Sequence, residues 1–546
     1  MKNSKWYLTS IFYQIYPQSF QDSNADGIGD LEGIIFRLDY LKELGIDAVW
    51  LNPIYPSPFK DAGYDVADYK NIASRYGNLE IFDRLIREAH KRDIKIIMDL
   101  VFNHTSNEHP WFKESQRIQK NRYSKWYVWC PPFKSIDLGS GSWARWVSER
   151  YDSYYHQFTF YQPDLNFGFP DLPKEYGNSY DDPDIKALRE ELKSVVRFWL
   201  DRGVDGFRCD VADWLVQEKG KKGIHEYTAR FWNEVREVID SYGDKAFIAE
   251  GFCHVDDILK CKFNGTFFIP QCWKLLCPYP MGREEEFSWE SFFSPEGGDI
   301  TWFVEEYFNE YNQIIGHDGM ISMISGSHDM PRMSYICKKD KIIKTYFAML
   351  LTYPTAPFIY YGDEIGMRYW ENLPSKEGAC FRAGSRTPMQ WSGEENAGFS
   401  SADSSKLYFP VNEDYLERNV EKQKNFSDSI LNTVKELIKL RKSNPSLGPF
   451  AGIHHLHLKK EDKTYIYSRY DDKNAFVIAL NPSDTPRNIT IKLDSGKEEF
   501  TYARYLVPKI SSDKTPKIPV EKGKLSFQFP ANFFAVYEVV KDRDKR

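Results

Sequence analysis

No apolar run in this 546-residue chain approaches the roughly 18 residues that a membrane-spanning helix needs, so no such helix is expected. The opening stretch, MKNSKWYLTSIFYQIYPQSF, also lacks the uninterrupted apolar segment and small-residue cleavage site of a secretory leader. Cysteine is sparse and scattered: Cys130, Cys209, Cys253, Cys261, Cys272, Cys277, Cys337 and Cys380. None forms a CxxC pair, which argues against a zinc site. Several sit in apolar surroundings, where reduced, buried thiols are expected, although an even count also permits disulfides. Together these features point to the cytoplasm. Neither sign of charge dominates: 72 Lys and Arg face 79 Asp and Glu, for a net charge of -7. No basic excess supports nucleic-acid binding.

The length allows a large core and more than one domain. Aromatic residues make up 16%, with 15 Trp and 35 Tyr. Such rings fill cores, and they also stack on the apolar faces of sugars. The first hundred residues alternate short apolar runs with helical patterns. IFYQIYPQSF (11–20), DAVWLNPI (47–54) and IKIIMDLVFNH (94–104) read as strands. LEGIIFRLDYLKELG (31–45) and LEIFDRLIREAHKRD (79–93) read as helices, with Gly45 as a stop. This order means βαβ units and a parallel sheet.

Residues 105–175 break the rhythm with aromatics, Pro and Asp, and are too long for an ordinary connection, so they predict a small inserted domain. Alternation resumes at IKALREELKSVVRFWLDRG and continues through strands near Cys209 and Ala249, GTFFIP (265–270), MISMISGSHD (320–329) and APFIYYGDE (356–364). Eight such strands predict an α/β fold, a (β/α)₈ TIM barrel, built from residues 1–104 and 176–451 with an excursion at about 366–430. The excursion ends in NFSDSILNTVKELIKLRKS, read as a helix. From 452 to 546, HHLHLKK, KTYIYSRY, NAFVIALN, RNITIKL and KLSFQF alternate with polar turns and predict a C-terminal antiparallel β-sandwich domain ending in a frayed tail, KDRDKR.

Three of the apolar runs end in an acid: GFRCD at Asp210, AFIAE at Glu250 and ISMISGSHD at Asp329. Each could cap a following helix. Burying an unpaired carboxylate is costly, however, and three acids at strand ends with Arg and His nearby suggest one shared cleft. In such a barrel, functional residues gather at the C-terminal strand ends. A pair of carboxylates is what cleavage of a glycosidic bond requires. Arg208 and Asp210 are two apart, so on a strand they face one side, and the Arg would keep the Asp ionised. Phe247, Ile248 and Ala249 give Glu250 an apolar setting that would raise its pKa, as suits a general acid.

DLVFNH (99–104), GFRCD (206–210), the Glu of IAEG (248–251) and SHD (327–329) resemble, in order, the four signature regions of the α-amylase family of glycoside hydrolases. The resemblance runs from about residue 7 into the C-terminal β domain. One departure is Ser327, where that family most often has Asn before the His-Asp pair. The resemblance implies a retaining double displacement, with Asp210 as nucleophile, Glu250 as general acid and base, and Asp329 gripping sugar hydroxyls. It implies that His104 and His328 hydrogen-bond the sugar and that Arg208 orients Asp210. In Asp61-Ala-Gly-Tyr64, the Tyr would stack on the sugar and the Asp would meet its far end. FRAGSRTPMQW (381–391) resembles the exo-acting α-glucosidase branch, which includes oligo-1,6-glucosidase. There the counterpart of Arg382 pairs with that of Asp61 and closes the pocket behind one terminal glucose, whereas Arg in general is a surface charge. Phe158 and Gln162, in QFTFYQPDLNF, match pocket-lining positions. Val211 after the nucleophile goes with α-1,6 preference in that branch.

The loop Asp22-Ser-Asn24-Ala-Asp26-Gly-Ile28-Gly-Asp30 alternates oxygen donors around a Gly, which suits a hard cation; a solvated Asx-rich turn is the alternative. It is not an EF-hand, because position 12 is Gly33. The resemblance implies a structural Ca²⁺ held by Asp22, Asn24, Asp26, the Ile28 carbonyl and Asp30. The expected partner is an oligosaccharide, with neither nucleic acid nor membrane. Two other readings stand beside a hydrolase. One is a transglycosylating or isomerising relative such as trehalose synthase or sucrose isomerase, which differs in how well the site excludes water. The other is a non-catalytic, transporter-associated relative, which would need a membrane anchor and could lose the acids.

Overall fold

The computed structural model describes residues 5–540, except 135, 140, 219, 221–222, 252–253, 268, 277–289, 295–297, 318, 379, 494–499 and 509–516. Eight parallel strands close into a barrel. In chain order the first three are β1 (Phe12–Ile15), β2 (Ala48–Leu51) and β3 (Lys95–Leu100). A three-stranded sheet then intervenes, with β4 (Trp129–Cys130), β5 (Ser142–Ala144) and β6 (Ser153–His156) in the order β4-β6-β5. The barrel resumes with β7 (Gly206–Cys209), β8 (Ala246–Ala249), β9 (Gly265–Phe267), β10 (Met320–Ile324) and β11 (Ala356–Tyr360). Strand β11 pairs with β1, which closes the ring.

Local chemistry explains the helices between them. Asp30 caps Leu31–Leu44 by accepting from the Gly33 N–H, and Asn78 caps Leu79–Lys91 by accepting from the Ile81 N–H. Gly45 ends the first helix in a left-handed conformation, with φ 97°, as its sequence position predicts. Two expected spans are trimmed. GTFFIP is strand only to Phe267, because Ile269 already begins the helix Ile269–Leu276. APFIYYGDE is strand only to Tyr360, because Gly362 turns into a short 3-10 helix at Asp363–Ile365. The barrel interior is filled by aromatic side chains. Phe12 and Phe358 are register partners and stack at 4.2 Å, and Phe267 meets Phe358 at 4.8 Å and Trp50 at 5.5 Å. This layer floors the end of the barrel where the acids lie.

The C-terminal segment forms β12 (Gly452–His457), β13 (Tyr465–Tyr470), β14 (Ala475–Asn481), β15 (Arg487–Lys492), β16 (Tyr502–Val507), β17 (Lys517–Pro519), β18 (Lys524–Phe529) and β19 (Phe533–Val540). Six strands make one antiparallel sheet in the order β12-β13-β14-β19-β16-β17, and β15 pairs with β18 in a second. The sequence reading omitted β16, β17 and β19, although β19 is central. Ile466, Val477, Ala479 and Ala535 face the small sheet, against Ile489, Ile491, Leu525 and Phe527. Tyr465, Tyr467, Ile478 and Val536 face the other way and join the barrel's core. The result is a lopsided sandwich whose larger sheet is buried on both faces at its central strands β13, β14 and β19.

Cys130, Cys209, Cys261, Cys272 and Cys337 are free and buried. Cys253, Cys277, the side chain of Cys380 and the tail KDRDKR lie outside the described residues. No helix is long and apolar enough to cross a membrane among the described residues.

Gly45 is a point of contact between helices. A Cβ there would lie 2.7 Å from Ile438 Cγ2 on the helix Ile430–Ser443, and the positive φ would strain it further. Gly45→Ala should therefore cost about 1–2 kcal/mol or more, read as a lower urea midpoint; an unchanged midpoint would show that the cap tolerates a side chain.

Candidate active site

The parallel register brings the charged groups together. Asp99 on β3 is the direct partner of Arg208 on β7, so both side chains point to one side of the sheet. Arg208 Nη1 donates to Asp99 Oδ1 at 2.8 Å and to Asp210 Oδ1 at 2.6 Å. Its Nη2 lies 2.6 Å from Glu250 Oε1, just past β8. One guanidinium thus serves three carboxylates. The other Asp99 oxygen accepts from Trp50 Nε1 at 3.0 Å and from the Tyr64 hydroxyl at 3.1 Å. Glu250 Oε2 accepts from the Val211 backbone N–H at 3.1 Å. Val211 makes that bond with φ 34°, a strained conformation for a β-branched residue.

Burial and mutual repulsion outweigh the shared arginine. Burial raises Asp210 to about 6 against the pull of Arg208, with Asp99 and Asp329 adding to the rise. Burial raises Glu250 to about 7, with Asp210 and Asp329 adding to it. Asp99 rises to about 6 for the same first reason. Arg208 lowers the Asp210 carboxyl as expected, but burial outweighs it and the cation is divided among three anions. The order of the two strand-end acids follows the expectation: near neutral pH Asp210 is mostly ionised and Glu250 is about half protonated.

Asp329 is the opposite case. Burial would raise it, but the guanidinium groups of Arg382 at 3.1 Å and Arg386 at 3.4 Å more than offset that and hold it well below the usual carboxylate range. Burial lowers His328 to about 3 and His104 to about 4, so both rings are neutral. His328 Nδ1 lies 2.9 Å from Gln14 Nε2 and 3.3 Å from Asn52 Nδ2, both amide donors. Nδ1 is therefore the acceptor, and the proton sits on Nε2, facing Asp329. Tyr64 stacks on the same ring, with centroids 5.2 Å apart and planes at 5°. Gln162 Nε2 donates to Asp61 Oδ2 at 2.9 Å, and Asp61 Oδ1 meets Arg382 Nη1 at 3.5 Å.

Several of these groups line one cavity of about 190 Å³. It is smaller than the roughly 300 Å³ at the low end of drug-sized sites. Asp61, Tyr64, His104, Phe158, Arg208, Asp210, Glu250, His328, Asp329 and Arg382 all border it. Gln162 stands behind the wall and holds Asp61. The sequence reading missed Asp99, Trp50, Trp214 and Phe267 as site residues. Asp99 carried a signal, an acid inside the apolar run IIMDLV. Trp214 stacks on Phe158 at 6.2 Å near the mouth, a tertiary contact between the inserted segment and the loop after β7.

The oxygen-rich loop lies apart from the cavity's lining, packed against residues 399–406. Asp22 Oδ1 accepts from the Asn24 and Ala25 N–H groups, and its Oδ2 from the Gly27 N–H and the Ser400 hydroxyl. Asn24 and Asp26 each accept one backbone N–H, from Asp26 and Ile28. Asp30 accepts from Ser23 and caps the next helix. Burial raises the Asp30 carboxyl, and the charge of Asp22 adds to the rise. No group of three or more His, Cys, Asp or Glu side chains is arranged to hold a metal among the described residues, so a cation here would need the amide and carbonyl oxygens as well.

The model of the alpha-amylase catalytic domain matches residues 14–448, most of the chain. This protein belongs to the alpha-amylase family. Its relatives within that family include a glucan 1,6-alpha-glucosidase of Streptococcus pneumoniae, 32% identical over 92% of this chain and 97% of the relative. An oligo-1,6-glucosidase of Bacillus cereus is 32% identical over 87% and 90%. A trehalose synthase/amylase of Mycobacterium tuberculosis is 32% identical over 81% and 76%. Among solved structures, an isomaltulose synthase mutant from Erwinia rhapontici, in complex with sucrose, superposes with a TM-score of 0.81 at 27% identity, covering 99% of this chain and 100% of that one.

Removing Arg208 would leave three carboxylates buried without their cation. Arg208→Met should cost about 3–5 kcal/mol at pH 7. The sign with pH is fixed by the raised folded-state values of about 6 and 7. The native cluster takes up protons as pH falls through that range, while the unfolded chain does so only near pH 4. The loss should therefore shrink at pH 5. Urea unfolding of both proteins at pH 5 and 7 checks this, and equal losses at the two pH values would reject the carboxylate cluster as its origin.

Proposed function

We propose that this protein is a retaining, exo-acting α-glucosidase that releases terminal α-linked glucose from short oligosaccharides, with α-1,6 preference. The observation that carries the reading is the single guanidinium of Arg208 bonded to both Asp210 and Glu250 inside a one-sugar cavity. Two carboxylates tied to neighbouring nitrogens of one arginine sit close together. That favours the separation of about 5–5.5 Å used by retaining enzymes over the wider gap that admits a water between them.

In this mechanism the Asp210 carboxylate attacks the anomeric carbon while the Glu250 carboxyl gives its proton to the departing glycosidic oxygen. A glucosyl ester on Asp210 results. The Glu250 carboxylate then takes a proton from water, whose oxygen attacks the same carbon and frees Asp210. Asp329, ionised and held by Arg382 and Arg386, binds sugar hydroxyls and stabilises the positive charge that develops on the ring. Neutral His328 and His104 hydrogen-bond the sugar, Tyr64 stacks on it, and Asp61 with Arg382 ends the pocket behind it. Phe158 borders the mouth, and Gln162 fixes Asp61. The names of the 1,6-glucosidase relatives and the Val211 side chain on the cavity wall support the linkage.

The test is a product analysis with isomaltose, maltose, sucrose and trehalose offered separately. Free glucose from isomaltose, with little from maltose, is expected. Interconversion of disaccharides with little free glucose would move the protein to the isomerising side of the family, where the named trehalose synthase relative belongs.

The loop Asp22–Asp30 is proposed to hold a structural Ca²⁺ through Asp22, Asn24, Asp26, the Ile28 carbonyl and Asp30. The donor set is all oxygen, as a hard cation requires. The ion would neutralise the facing Asp22 and Asp30 charges and pin the loop. Added Ca²⁺ should raise the melting temperature of chelator-treated protein, and Asp26→Ala should abolish that rise. A melting temperature indifferent to both Ca²⁺ and chelator would dismiss the ion. The cytoplasm is the proposed compartment.

A further inference from the structure

Two arginines touch the same oxygen of Asp329, and they do so from different settings. Arg382 Nη1 lies 3.1 Å away, its side chain is 26% exposed, and it also reaches Asp61. Arg386 Nη2 lies 3.4 Å away, and its side chain is 1% exposed. Arg386 is tied on its other sides as well. Its Nε donates to the His328 carbonyl at 2.9 Å, and its Nη1 meets Glu377 Oε2 at 3.1 Å. One planar fork therefore spans the backbone of His328, the carboxylate of Asp329 and the carboxylate of Glu377.

Glu377 is fixed in turn. It is fully buried. The Tyr16 hydroxyl donates to its Oε2 at 2.5 Å, and Gln18 Nε2 donates to its Oε1 at 2.5 Å. Tyr16 and Gln18 follow β1, whereas Glu377 and Arg386 lie in the long segment after β11. The pair thus joins three parts of the chain directly behind Asp329. A buried ion pair contributes little net stability compared with apolar packing, because both charges lose their water. Stability alone is a weak reason for this one. Placement of a carboxylate that must meet sugar hydroxyls within a few tenths of an ångström is a stronger one.

We propose that Glu377 and Arg386 are positioning residues for the reaction proposed above: Arg386 clamps Asp329 and the His328 backbone in their working geometry, and Glu377 clamps Arg386. Arg382, shared with Asp61 at the end of the pocket, is the adjustable partner of the same carboxylate, and Arg386 is the fixed one. The proposal rests on the glycosidase reading and extends it to residues that do not border the cavity.

The test is a kinetic double-mutant cycle on the disaccharide that the wild-type protein cleaves fastest, using Arg386→Lys, Glu377→Gln and the double variant, with Asp210→Asn alongside. Glu377→Gln keeps the side chain's shape and serves if Arg386→Lys folds poorly. Rates are expressed per competent site, counted by trapping the glucosyl-enzyme with a slowly hydrolysed fluoroglucoside. Arg386→Lys should lower kcat about 100-fold and Glu377→Gln about tenfold, with KM nearly unchanged, as displacement of a group by an ångström does. The double variant should be no slower than Arg386→Lys, because Glu377 acts through Arg386. Normal kcat per competent site in both single variants, or additive losses in the double, would overturn the clamp while Asp210→Asn stays inactive. Activity retained by Asp210→Asn would overturn the glycosidase reading, and the clamp with it.

Discussion

The site depends on one cation shared by three anions. Arg208 is fully buried at the end of β7, and its guanidinium bonds Asp99, Asp210 and Glu250. Without it the barrel end would hold an impossible density of negative charge. With it the charge is tolerable but not neutralised, and that residual imbalance sets the chemistry. Full compensation would leave both strand-end acids ionised and alike. Partial compensation, in a buried cluster, separates them into a mostly ionised Asp210 and a Glu250 poised near neutrality. Asp329 sits a short way off among Arg382, Arg386 and His328 and is held in the anionic state. Three chemically similar side chains thus acquire different protonation behaviour from their positions alone.

The barrel supplies this arrangement through register. Because Asp99 and Arg208 are direct partners on adjacent strands, no loop has to be ordered to bring them together. Loops then add what strands cannot. The segment after β11 delivers Arg382 and Arg386, and the inserted segment delivers Phe158 and Gln162. Strand register fixes the Asp99–Arg208 pair, and the loops bring in further charges, Asp329 and Arg386 among them, and shape the pocket around it.

Much of this is legible in the amino-acid sequence. The strand-end acids and Arg208 follow from apolar runs ending in charge, both histidines and the Asp61–Arg382 contact follow from the family resemblance, and all of them meet in one cavity. Asp99 escaped notice because its partner is remote in sequence, and only strand pairing shows that the two are neighbours. Trp214 and Glu377 escaped for a related reason: their contacts are made across segments with no periodicity to reveal them. In the C-terminal region, β19 was overlooked because FFAVYEVV is apolar on both faces and lacks the polar alternation of RNITIK or KLSFQF. That pattern belongs to a strand covered on two sides, which is where β19 lies.

The double burial of that sheet bears on how the molecule can be cut. The hydroxyl of Tyr467 meets Thr352 at 2.6 Å, that of Tyr465 meets Tyr353 at 3.3 Å, and Arg469 donates to the Thr352 carbonyl. A chain ending before Gly452 would turn the apolar wall that now meets Tyr465, Tyr467, Ile478 and Val536 toward water. Evolution can vary the exposed loops that lie away from the site. It cannot shed the C-terminal module without first rebuilding the back of the barrel.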